Sequence, residues 1–187
     1  MSIETRRKVE GYAFLAAFIA CIPAANWFLG HVGTVCPPDS PCLLPVAPGI
    51  MSPSGVLMVG LALVLRDLVQ RRLGKAWTLS AVVIGAVLSA LLAPPALVIA
   101  SGLTFLVSEL ADFAIYTPLQ RRDLVLAVVA SSAIGLVLDS VLFLWLAFGD
   151  LSYLAGQVLG KSWMVLLALP IIWVLRERDA RIGLQPA

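Results

Sequence analysis

Charge is scarce in this sequence. Only 13% of its 187 residues are charged, against roughly 25% in soluble globular domains. With 60% hydrophobic residues and a mean hydropathy of +0.98, the chain has too little polar surface to cover itself in water. Histidine is limited to His31, and there are three cysteines. No metal-ligand spacing, no glycine-rich phosphate loop and no Ser–His–Asp set is present. No catalytic residue, metal or cofactor is therefore expected, and no nucleic-acid partner.

What is abundant is apolar sequence. Six apolar segments lie at about residues 12–30, 50–72, 77–93, 95–116, 124–148 and 151–175. Each is near the ~20 residues needed to cross a ~30 Å hydrocarbon core. Helices are expected, because lipid offers the backbone no hydrogen-bond partners. The fold class read from the sequence is all-α: one polytopic domain, residues 1–187, with six transmembrane helices. The second segment has the weakest pattern. Its clean apolar run, residues 55–65, is short, with Pro53 before it and Arg66-Asp67 after it. The first segment reads as a span and not a signal peptide, because it is too long and lacks a small-residue cleavage site.

The few charges are distributed unevenly. Arg6, Arg7 and Lys8 precede the first segment. Arg66, Arg71, Arg72 and Lys75 surround the end of the second. Arg121 and Arg122 separate the fourth and fifth, and Arg176, Arg178 and Arg181 follow the sixth. The alternate connections, 30–49, 93–95 and 149–150, carry no Lys or Arg. So 12 of the 13 basic residues fall on one side, which predicts both termini in the cytoplasm of a multi-pass protein of the inner (cytoplasmic) membrane. Trp27, Trp77 and Trp173 lie near segment ends and suit an interfacial belt.

The outer connection 30–49 is rich in proline and holds Cys36 and Cys42. An oxidising outer compartment permits a disulfide between them. Cys21 reads as packing and His31 as an interfacial polar residue. Gln70-Arg71-Arg72 recurs 50 residues later as Gln120-Arg121-Arg122, with Ile84-Gly85 and Ile134-Gly135 at the same offset. This would relate segments two and three to four and five as a repeat in the same orientation. Gly156 and Gly160, and Ala81, Gly85 and Ser89, read as close-packing faces.

The thirteenth basic residue, Lys161, is inside the sixth segment, and it is not alone. Glu109 and Asp112 are three apart in the fourth, on one helix face with Phe105 and Tyr116. Asp139 lies in the fifth, and Gln157 lies four residues before Lys161 in the sixth. A charge at the centre of a bilayer costs at least ~2.5–3.5 kcal/mol, so these groups must face the bundle interior or a water-filled cavity. At ~1.5 Å per residue, Asp139 and Lys161 lie about 13 and 15 Å below the outer surface and can pair. Glu109 and Asp112 lie deeper, at about 21 and 25 Å, in a layer with Arg66 and Asp67. Two plainer readings stay open: Arg66 and Asp67 as interfacial, snorkelling residues, and Asp139–Lys161 as a structural ion pair. Four acids against two bases suit a donor-rich ligand or proton coupling.

The ordered motifs extend this reading. They are Ala25-Asn26-Trp27, Ala47-Pro48-Gly49, Leu65-Arg66-Asp67-Leu68-Val69 with Gly74, and Ser108-Glu109-Leu110-Ala111-Asp112 with Phe113, Tyr116 and Pro118. They continue with Gly135, Asp139-Ser140, Phe143, Ala147-Phe148-Gly149 and Gly160-Lys161. In that order the chain resembles the VUT (DUF165) family of vitamin-uptake and queuosine-precursor transporters, over nearly its whole length. The resemblance implies import of 7-deazaguanine precursors of queuosine, in the cyano or aminomethyl form. A carboxylate accepts the N1–H and exocyclic amine of such a base together. Glu109 or Asp112 is the first expectation for that role, with Asp139 next. Lys161 would donate to the ligand carbonyl. Aromatic rings would stack on the base, with Phe105, Phe113, Tyr116, Phe143 and Trp163 as candidates. Asn26 would stand at the outer mouth. The candidate substrate-binding set is thus Glu109, Asp112, Asp139, Lys161, Asn26, Arg66, Asp67, Gln157, Phe105, Tyr116 and Phe143.

The expected partners are a nucleobase-like small molecule and the lipid bilayer, with a homodimer compatible with so small a chain. Three other classes are weighed. The substrate-binding subunit of an energy-coupling vitamin importer also has six helices, and it would need an ATPase and a coupling subunit. An intramembrane aspartyl protease lacks its Gly-x-Gly-Asp context here. A purely structural protein is disfavoured by four intramembrane acids.

Overall fold

The computed structural model describes residues 2–38, 41–93 and 95–187. Residues 39 and 40 of the long outer connection, and Pro94 of the connection between the third and fourth segments, lie outside them. Six α-helices carry the fold: α1 (Ile3–His31), α2 (Val56–Leu73), α3 (Lys75–Leu92), α4 (Val98–Leu119), α5 (Leu124–Phe148) and α6 (Leu154–Ile182). All but α2 are long and apolar enough to cross a membrane.

Local chemistry sets the helix ends. α5 matches its apolar segment because Asp123 caps it, accepting from the Leu126 N–H at 3.0 Å, and Gly149 ends it at φ 70°. α1 starts nine residues before its apolar segment. Ser2 caps it through the Thr5 N–H, and the i,i+4 pairs Glu4–Lys8 (2.9 Å) and Arg6–Glu10 (3.2 Å) support the polar first turns. α6 likewise runs on to Ile182, where Gly183 takes the left-handed conformation at φ 68°.

The second apolar segment is not helical from residue 50. Strands β1 (Leu43–Ala47) and β2 (Ile50–Pro53) form an antiparallel ribbon, and α2 begins only at Val56. The physical reason is local. Pro48-Gly49 makes the turn, with Gly49 at φ 72°, and Pro45 and Pro53 resist helix. Cys36 and Cys42 are joined by a disulfide next to the ribbon. The Cys42 N–H donates to the Leu29 carbonyl at the end of α1 (2.7 Å). Trp163 Nε1 donates to the Val46 carbonyl (2.8 Å), which ties the ribbon to α6. Gly156 allows this approach, since a Cβ there would collide with the Met51 carbonyl. The Gly156/Gly160 face thus packs a ribbon and the start of α2, not a neighbouring long helix.

The helices pack in the ring α1–α2–α6–α5–α4–α3, and α2 also touches α3, α4 and α5. It is the hub of the bundle. Twelve of its 18 residues are buried, including Arg66, Asp67, Arg71 and Arg72. This explains its weak hydropathy: a helix surrounded by protein does not need an apolar surface for lipid. The other helices leave their large apolar side chains outward, among them Leu91, Ile99, Leu167 and Ile171.

At one end of the bundle, α1, α2 and α6 are tied by ion pairs. Asp179 receives Arg71 (2.9 Å) and Arg72 (2.8 and 2.9 Å), and Glu10 receives Arg72 (2.9 Å) and Arg178 (2.6 Å). The 50-residue sequence echo has no matching environment. Arg71 and Arg72 are buried in this cluster, while Arg121 and Arg122 are exposed. α4 packs along α5 far more extensively than α2 packs along α3.

Candidate functional site

Two layers of buried polar groups lie inside the bundle. The upper layer joins α5 to α6. Lys161 Nζ donates to Asp139 Oδ2 (2.5 Å), Ser140 Oγ (2.8 Å) and Gln157 Oε1 (2.7 Å). An ammonium has three protons, and all three are used. The i,i+4 spacing of Gln157 and Lys161 puts both on one face of α6, and adjacency on α5 supplies Asp139 with Ser140. The depth estimate from the sequence anticipated this pair. Ser140, quoted only within a motif, completes it.

The lower layer joins α2 to α4 and α5 around Arg66, whose side chain is fully buried. Its Nε donates to Glu109 Oε2 (3.2 Å), its Nη1 to Gln70 Oε1 (3.2 Å) and its Nη2 to Asp112 Oδ1. Asp67 Oδ1 lies 2.8 Å from the same Nη2, and Asp67 Oδ2 accepts from Ser131 Oγ at 3.0 Å. The guanidinium lies over the Tyr116 ring, 5.6 Å from its centroid. The snorkelling reading of Arg66 and Asp67 is thus overturned. Both are at 0% exposure, turned into the bundle by the central position of α2.

Ser108 links the layers. It sits next to Glu109 in α4, and its Oγ donates to Asp139 Oδ1 at 3.4 Å.

A cavity opens above the upper layer. It is lined by parts of every helix and by Pro53 of the ribbon, and its space, mouth included, is about 690 Å³. Asp139, Lys161 and Gln157 form its polar wall. Phe105 and Phe143 supply rings, and Asn26 stands on α1 with its Nδ2 donating to the Ile22 carbonyl (3.1 Å). Six of the eleven candidate residues therefore meet at one cavity.

The other five do not line it. Arg66, Asp67, Glu109 and Asp112 form the layer beneath, because α2 draws them to its guanidinium. Tyr116 is packed in the core under Arg66 at 0% exposure. Of the further aromatic candidates, Trp163 turns outward to hold the ribbon, and Phe113 is not on the cavity wall. Ser89, read as packing, lines the cavity instead.

Sequence reading passed over Thr104 and Ser131. Thr104 lines the cavity at 1% exposure, and its Oγ1 has no hydrogen-bond partner among the described residues. Its spacing was a usable signal, since Thr104, Ser108 and Asp112 recur at i,i+4. Ser131 gives no such signal beyond being polar in an apolar helix.

Residues 89–175 match the profile of the family described as "Putative vitamin uptake transporter". The matched stretch runs from the end of α3 into α6 and carries Glu109, Asp112, Asp139, Gln157 and Lys161. The family resemblance read from the sequence holds over that stretch. Five helices apolar enough to cross a membrane mark a multi-pass membrane protein, and over less than half of its length the chain is similar to that family of uptake transporters. No curated protein and no solved structure matches the chain.

Proposed function

We propose that this chain is a six-span importer of the cytoplasmic membrane, with both termini inside, that takes up 7-deazaguanine bases in the cyano or aminomethyl form through the cavity above Asp139 and Lys161. The sixth span is α2. Its 18 residues reach about 27 Å at ~1.5 Å each, and its charges are shielded by the five helices around it. The inward orientation of the termini rests on the uneven distribution of Lys and Arg.

The observation that carries the reading is the joining of a carboxylate, an ammonium and an amide with two phenyl rings on one cavity wall. Asp139 accepts from the N1–H and exocyclic amine of the base edge. Lys161 turns one of its three protons from Gln157 Oε1 to the ring carbonyl. Phe105 and Phe143 flank the ring faces. Glu109 and Asp112, the first sequence expectation for the base edge, are held by Arg66 below, so Asp139 takes that role.

The test is thermal stabilisation of purified protein by the cyano and aminomethyl deazaguanines, with guanine, biotin and thiamine as controls. Selective stabilisation by a deazaguanine is expected. The family description itself names vitamins, which favours a second reading, the substrate-binding subunit of an energy-coupling importer. A shift with biotin or thiamine alone, with an ATPase co-purifying, would establish that one. No shift with any of the five compounds removes both.

A further inference from the structure

The layer beneath the cavity has a charge imbalance that the substrate reading does not use. Arg66 is the single cation in contact with three carboxylates, those of Asp67, Glu109 and Asp112, and all four side chains are 0–3% exposed. Fully ionised, the group would hold two uncompensated negative charges inside the bundle. Lys161 on α6 is engaged by Asp139 of α5 in the layer above, and Arg71 of α2 by Asp179. Facing the group are also the ring of Tyr116 of α4 and the uncharged Ser131 and Gln70.

The geometry shows where one of these two charges is relieved. Asp67 and Asp112 converge on one guanidinium nitrogen, Nη2. Asp67 Oδ1 lies in a direction that makes no hydrogen bond to it, and Asp112 Oδ2 has no partner. These two buried carboxylate oxygens have no hydrogen-bond donor among the described residues. Two carboxylates forced together bind one proton between them, because both cannot keep their charge. A metal cation is the poorer occupant, since Arg66 already places positive charge at the same point.

We propose that Asp67 and Asp112 hold one proton between them, and that this proton enters the cell together with the cavity's ligand. Its route from outside runs through the cavity to Asp139, then by Ser108 and Glu109 to the pair under Arg66. Gln70, bonded to Arg66 and to Thr117 Oγ1 (2.8 Å), continues the polar path toward the Arg71–Arg72–Asp179 cluster. The proton arrives from outer water, is carried as a carboxyl O–H, and leaves to cytoplasmic water, with no other bond changed. The coupling rests on the transport reading above, while proton binding by the pair does not.

Two measurements test it on the full-length protein. The first is infrared spectroscopy in detergent at neutral pH. A buried protonated carboxyl C=O stretch is expected, lost in Asp112→Asn and in Asp67→Asn and kept in Glu10→Gln. A wild-type spectrum without that band overturns the proposal. The second is uptake of 7-cyano-7-deazaguanine into proteoliposomes. An inside-alkaline gradient should raise the initial rate several-fold, a protonophore should abolish the gain, and Asp112→Asn should lose the response. Uptake that ignores the pH gradient, or follows a sodium gradient, refutes the coupling and leaves the substrate reading standing. No uptake of any deazaguanine refutes the substrate reading and the coupling, and the infrared band then decides proton binding by itself.

Discussion

Replacing Arg66 with Met removes the one cation of the lower layer and keeps most of its volume. Three partners lose their donor, Glu109, Gln70 and Asp112, and Asp67 loses its counter-charge. The face of Tyr116 loses its guanidinium as well. Removing one member of a buried ion pair costs ~3–5 kcal/mol, because the other charge is left uncompensated. A chain of this size shifts its melting point by ~2–4 °C per kcal/mol, so Arg66→Met should melt roughly 6–20 °C lower. Thermal denaturation in detergent, read by tryptophan fluorescence and by recovery on size exclusion, measures this. Arg66→Lys should fall between the two, because an ammonium keeps the charge but not the planar fork that reaches four groups. Adding Asp112→Asn to Arg66→Met should restore part of the loss, with a coupling of about 0.5–3 kcal/mol between the two changes. A melting point for Arg66→Met within ~2 °C of wild type would refute the reasoning. It would mean that the layer is hydrated and its ion pairs contribute nothing net.

Asp139→Asn should weaken 7-deazaguanine binding roughly 10- to 150-fold, the worth of a charge-assisted hydrogen bond of ~1.5–3 kcal/mol, in a ligand titration of the folded variant. Replacing Cys36 and Cys42 together by Ser should lower stability by about 2 kcal/mol, since the bridge closes a loop with a sequence separation of only six, and a reductant should do the same to wild type in a melting experiment. Gly156→Val should push the ribbon off α6, seen as faster proteolysis at residues 43–53. Gly30→Ala, where a Cβ meets nothing within 4 Å, should leave that proteolysis unchanged.

Several features were legible in the chain itself. Hydropathy and length located the apolar helices, and Asp123 and Gly149 set the ends of α5 where the sequence reading put them. The i,i+3 and i,i+4 spacings put Glu109 with Asp112, and Gln157 with Lys161, on common faces. Depth along the helices paired Asp139 with Lys161 and placed Arg66 beside Glu109 and Asp112 before any contact was known. These are one-dimensional properties, fixed by the rise and period of a helix.

The rest was decided by tertiary packing. The ribbon at 43–53 runs into the start of the second apolar segment; its prolines and Gly49 keep it from being helix, and its docking onto α6 and α1 decides where it lies. Glu10 and Asp179 carry no signal in the sequence beyond their charge, yet they tie three helices together. The most polar segment, α2, is the hub, and the carboxylate that reaches the cavity is Asp139 instead of Glu109 or Asp112. The physical reason is that lipid tails and a protein interior are equally apolar. In water, an amphipathic stripe marks the face a helix buries. In a bilayer that contrast is absent, so a sequence shows which residues share a face, and only the packed bundle shows what that face meets.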